Sequence, residues 1–241
     1  MLTGVEGHLT PMYPTSGRGR SSWQHPEVLR SLGHRRLAIF AACATLVLAA
    51  LVTATFPIEA PLPAGWHTPI IAFELARTPE DLAWLAGAEA EELREAMRAG
   101  HRIDMVFPLA YGALLVASCG GVRGRLAKAA AAFGGLAIPL DWLENAALEA
   151  ITDALERGGD GARELGLLLP ATWGKWGAIG CALALLGLAI RSDEPRTGHA
   201  LVLSACTVPV AALTGAPLAG ELMSVAVSVA FVLLVVRAFR R

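Results

Sequence analysis

Charged side chains are scarce in this sequence, at 17% of 241 residues, while 54% are hydrophobic and only two are tyrosine. That balance supplies more apolar surface than a water-soluble core needs, and it excludes an ordinary soluble domain. The formal net charge is −1, so there is no basic surplus to hold a phosphate backbone, and no nucleic-acid partner is expected. Cysteine is limited to Cys43, Cys119, Cys181 and Cys206, each inside an apolar run, without a CxxC pair or histidines at zinc spacing. Free, buried thiols and no metal site are therefore expected. Also missing are the GxSxG serine nucleophile, the paired Asp-rich motifs of intramembrane prenyl transferases and the Asp-rich signature of lipid-alcohol phosphotransferases. Their absence removes those enzymes and leaves others open. "GGVRGR", residues 120–125, follows an apolar span and lacks a GK[ST] ending, so it reads as a turn rather than a phosphate loop.

What the chain does have is a series of apolar runs, each of about 20 residues, the length that crosses a hydrocarbon layer of about 30 Å. They predict an all-α integral membrane protein, a bundle of about six transmembrane helices over residues 37–56, 102–119, 127–148, 171–190, 199–214 and 218–237. "TGAP", residues 214–217, divides the last long run into two helices; five spans is the alternative if that run is partly re-entrant. Residues 1–36, rich in Pro, Gly, Ser and Arg, read as a disordered tail ahead of a single bundle over 37–241. The first span is too long for a typical signal-peptide core and lacks a clear cleavage site, so it is expected to be a retained anchor.

Orientation follows from the basic residues, which favour short cytoplasmic segments. With the amino terminus inside, 13 of the 20 basic residues fall on the cytoplasmic side and 17 of the 21 acidic ones on the other. The expectation is a multi-pass protein of a bacterial inner membrane with both termini cytoplasmic. The one long outer segment contains Thr78, Pro79 and Asp81, a cap, a first-turn proline and an acidic residue three places on. It predicts an amphipathic interfacial helix over 79–99, stopped by Gly100, with Leu82, Leu85, Leu93, Ala96 and Met97 on its apolar side.

With this topology, Asp141, Glu144 and Asn145 share one face in the outer third of the third span. Asp104 begins the second span with Tyr111 two turns deeper, Lys175 begins the fourth, Glu221 begins the sixth, and Glu74 lies in the outer segment. Polar groups scattered over about 150 positions thus converge at one depth, and charged groups in hydrocarbon face the bundle interior, pair or line water. Asp141, Glu144 and Asp104 are the candidates for acid or base chemistry, and Glu74, Tyr111, Asn145 and Lys175 for binding. Lys175 is expected to pair with Asp141 or Glu144, leaving a surplus of carboxylates. The structural alternative is that these groups join helices, while Glu149, Glu156, Arg157 and Glu221 snorkel to the headgroups. His67 and His101 are expected to be exposed in loops, and Trp66, Trp84, Trp142, Trp173 and Trp176 to form an outer aromatic belt.

"IIAFELARTPEDLAWLAG" (70–87), "RIDMVFPLAYGALL" (102–115), "GLAIPLDWLENAAL" (135–148) and "WGKWGAI" (173–179) together resemble a group of small bacterial multi-pass membrane proteins. The resemblance points to Phe73, Glu74, Thr78, Asp104, Tyr111, Asp141, Glu144, Asn145 and Lys175 and implies no particular reaction or cofactor. The expected function is a carboxylate-rich cavity near the outer face that binds a small, lipid-like or cationic ligand, with membrane lipid as the other partner. Alternatives are an intramembrane acid/base enzyme on an amphipathic lipid or isoprenoid, a cation- or proton-coupled transporter, and an accessory subunit. No inverted repeat is evident to favour the transporter.

Overall fold

The computed structural model describes residues 25–240, and among them every regular element is helical. In chain order these are α1 (His25–Thr55), α2 (Pro69–Glu74), 3-10 turns at Pro79–Leu85 and Ala88–Ala90, α3 (Glu91–Asp104), α4 (Phe107–Ser118), α5 (Arg125–Glu156), α6 (Ala162–Ile190), α7 (Pro195–Thr214) and α8 (Pro217–Arg240). Among the described residues five helices are long and apolar enough to cross a membrane: α1 from Gly33 onward, α5, α6, α7 and α8. The chain is an all-α, multi-pass membrane bundle. Residues 1–24 of the expected tail lie outside the described residues, and 25–36 belong to the start of α1.

The expected second span is the one that is not continuous. Helix α3 ends at Asp104 and the 12-residue α4 begins at Phe107, because Pro108 has no N–H to give the Asp104 carbonyl and so breaks the ladder there. Trp142 of α5 donates to the Met105 carbonyl at the break, at 2.9 Å. The last long run, in contrast, divides as expected, with Gly215 left-handed at the end of α7.

The predicted interfacial helix is also interrupted. Asp81 accepts from the Arg77 and Thr78 backbone N–H groups, both at 2.9 Å, fixing the expected start. The turn it starts ends at Leu85, Gly87 takes a positive φ of 82°, and α3 begins afresh at Glu91. Gly100 does not stop α3; a side chain there would meet the Phe56 ring, so its role is close packing.

Two apolar cores result. One joins α1, α4, α5, α6, α7 and α8 around Leu114, Leu183, Leu186, Leu201 and Met223. The other caps one end, where Phe73, Leu82, Trp84, Leu85 and Met97 pack on Leu148, Ile151 and Leu155 of α5 and Leu165 and Leu168 of α6. About 20 residues of a helix span the hydrocarbon, so the 32 residues of α5 and 29 of α6 extend beyond it, and this extra length carries the cap. Along both helices the buried polar residues (Asp141, Glu144, Asn145; Thr172, Lys175) fall between stretches assigned to the two cores.

Candidate functional site

At that seam all seven sequence-derived candidates meet. Helices α4 and α5 cross closely because Gly112 and Gly134 have no side chains: a Cβ on Gly112 would strike Ile138 at 2.5 Å, and one on Gly134 would strike Leu115 at 2.8 Å. The close crossing lets the Tyr111 hydroxyl donate to Asp141 Oδ2 at 2.7 Å, while the Asn145 amide, one turn further along α5, donates to Asp141 Oδ1 at 3.0 Å. Asp141 is thus held by two neutral donors and, of the two partners expected for Lys175, is the one that does not pair with it.

Lys175 pairs with Glu144 Oε2, the other of its two expected partners, and, at 2.9 Å, with Glu74 Oε2, which was not expected. Glu74 also accepts from Trp176 Nε1 at 3.2 Å, and its backbone carbonyl accepts from Thr172 Oγ1 at 3.1 Å. It sits at the end of α2, a six-residue helix that is buried except at Ile70. Glu221 anchors the start of α2, accepting from the His67 and Thr68 N–H groups and the Thr68 hydroxyl at 2.7–2.9 Å. Glu221 is therefore a tie between α8 and the connection rather than a headgroup contact or a site residue.

Asp104 closes the set. It is buried, faces Asp141, Glu74, Lys175 and Asn145, and makes no ion pair among the described residues. Four buried carboxyl groups, on Glu74, Asp104, Asp141 and Glu144, therefore surround one ammonium group. Glu144 Oε1 and Asn145 Oδ1 are buried without a hydrogen-bond partner. Among the described residues no group of three or more His, Cys, Asp or Glu is arranged to hold a metal ion.

A cavity of about 180 Å³ opens onto this cluster. Glu74, Asp104, Tyr111, Asp141 and Lys175 supply its polar lining, and Val52, Phe56, Ile70, Phe107, Trp176 and Phe231 much of its apolar wall. Glu144 and Asn145 stand behind the wall and position Lys175 and Asp141. Sequence reasoning missed Trp176, Ser224, Ser228 and Phe231 as cavity residues; the two serines, one turn apart in the apolar stretch 222–236 of α8, were the available signal.

Other expectations need correction. His101 is buried in α3 rather than exposed in a loop, with its ring centre 5.4 Å from that of Phe56 and 5.9 Å from that of Phe73. Burial, reinforced by the positive charges of Lys175 and Arg98, pushes its pKa down to about 4. Trp84 and Trp176 are buried and so do not belong to a surface belt. Glu149 and Glu156, expected to snorkel, instead hold Arg98 together with Asp153 and so tie α3 to α5, and the contacts with Glu156 and Glu149 raise the pKa of that guanidinium further. The cysteines are free as expected, but only Cys119 is buried; the other three lie on outward faces. Of the remaining residues picked out by resemblance, Phe73 is in the cap core and Thr78 starts a turn away from the cavity.

Comparison of the chain with known protein families, curated proteins and solved structures returns no match.

Proposed function

We propose that the protein binds the polar end of a small amphipathic ligand in this acidic cavity, and that the ligand carries positive charge. The observation behind this reading is the imbalance of four buried carboxyl groups around one ammonium group. Buried charge is costly unless it is paired. Lys175 answers Glu74 and Glu144 and leaves Asp104 and Asp141, both in the cavity wall, without a cation. An alkylammonium head supplies the positive charge that these carboxylates lack. The volume of about 180 Å³ is below the roughly 300–1,000 Å³ of sites that enclose a whole drug-sized ligand, so the cavity suits a head group with its chain left outside.

The test is thermal stability of the purified protein in neutral maltoside micelles with dodecylammonium, dodecanol or dodecanoate at equal concentration. The ammonium compound alone is expected to raise the melting temperature. Equal shifts from all three would reduce the effect to nonspecific detergent action and contradict the proposal.

A further inference from the structure

The burial pattern along α1 suggests where such a ligand comes from. Ala38, Ala41, Ala42 and Thr45 are buried against the bundle, whereas no residue from Leu46 to Thr55 is buried. The last third of α1, Leu46–Thr55, therefore has no fully buried side chain, although Val52 packs on the cap core and the stretch belongs to the strongly apolar segment Gly33–Thr55. The antiparallel neighbour α8 meets this stretch across the acidic cavity, which Ser224, Val227, Ser228 and Phe231 line from its side and Val52 from that of α1. Ser228 is exposed and Ser224 half-buried, and neither hydroxyl is engaged by another of the described residues. By comparison, Thr45, Thr55, Thr152 and Thr214 each return their hydroxyl to a carbonyl four residues back, the usual way to satisfy such a group in an apolar helix. Two available hydroxyls at hydrocarbon depth, on the rim of a polar cavity, make a route for a charged head that would otherwise cross bare lipid.

We infer that the cavity is entered sideways from the bilayer, through the crevice between residues 46–55 of α1 and 224–231 of α8, by the head of a single-chain cationic amphipath whose tail stays in the crevice. This rests on the reading of the site as a cation-binding cavity and adds the route and the class of ligand. Nothing covalent is involved. The cap formed by the 3-10 turns and α3 closes the other approach with its own apolar core.

The experiment uses hexadecylamine bearing a mid-chain diazirine, photolysed with the full-length protein in neutral maltoside micelles, with labelled residues read by mass spectrometry. Labels are expected on 46–55 and 224–231, removed by excess unlabelled hexadecylammonium. Ser228→Trp, which fills an exposed position at the rim, is expected to lower them at least five-fold. Labels spread evenly over the outward faces of α5 and α7, or unchanged labelling in Ser228→Trp, would overturn the lateral route. Butylammonium, which has almost no tail, separates the two levels: if it raises the melting temperature while the long amine ignores the crevice, the route fails and the cavity reading stands. If neither amine binds, both fail.

Discussion

Lys175 shows most clearly how the site is held together. Its ammonium group meets Glu74 from α2 and Glu144 from α5 and lies 4.9 Å from the centre of the Trp176 ring. Removing one partner from a buried ion pair leaves an uncompensated charge and costs about 3–5 kcal/mol. Lys175→Met is therefore expected to destabilise the protein by at least that amount in equilibrium unfolding from detergent, since two carboxylates lose their cation. A change below about 1 kcal/mol would show that the pair contributes little. Asp104 and Asp141 are in a different position, having no cation to lose.

At the scale of elements, α3 connects the cap to the site: its buried face carries Arg94, Met97, Gly100, His101 and Asp104. His101 gives this helix a testable pH response. Its folded-state pKa of about 4 lies below the ordinary 6.5, so the unfolded chain takes up the proton first, and stability rises with pH across that window. The contribution is fully present above about 6.5 and is lost as pH falls toward 4, by about 3 kcal/mol at most. The groups that set the response are Lys175 and Arg98, with Asp104 one turn along α3. Unfolding free energies measured from pH 7 to pH 4 are expected to fall more steeply in the unmodified protein than in His101→Phe; parallel curves would remove His101 as the cause.

The elements also mark how far the sequence could be read. The long apolar runs of α5 to α8 announce themselves by length and composition, and the cap at Thr78–Asp81 by its residue pattern. The break at Met105–Val106 was foreshadowed by Pro108, but apolar residues on both sides masked it. Gly100 looked like a helix stop because a glycine's packing partner, here Phe56, lies elsewhere in the chain. For the same reason the seven site residues were legible as a set from their common depth, while the pairing of Lys175 with Glu74 and of Tyr111 with Asp141 was not. Those pairings depend on the crossing of α4 and α5 at Gly112 and Gly134 and on the seating of α2 by Glu221, which no local pattern encodes.

For the whole molecule, a membrane core and a cap core meet at a polar layer whose acidic side chains exceed their cations. The charge asymmetry predicts that the cap is on the outer side. A cysteine placed at Gly159, beside the cap, is expected to react with an impermeant thiol reagent in intact cells, in a background lacking the native cysteines, and one at Arg123 is not; reversed labelling would invert the topology. The central claim is that Asp104 and Asp141 are kept in the cavity at a cost to folding, for the sake of a cationic ligand. The most direct measurement is equilibrium unfolding of the double variant Asp104→Asn, Asp141→Asn beside the unmodified protein, each with and without dodecylammonium. The account predicts stability equal to or above that of the unmodified protein without the amine, and loss of the amine's stabilising effect. A loss of about 3 kcal/mol or more without the amine, the size expected when buried structural pairs are broken, would contradict it.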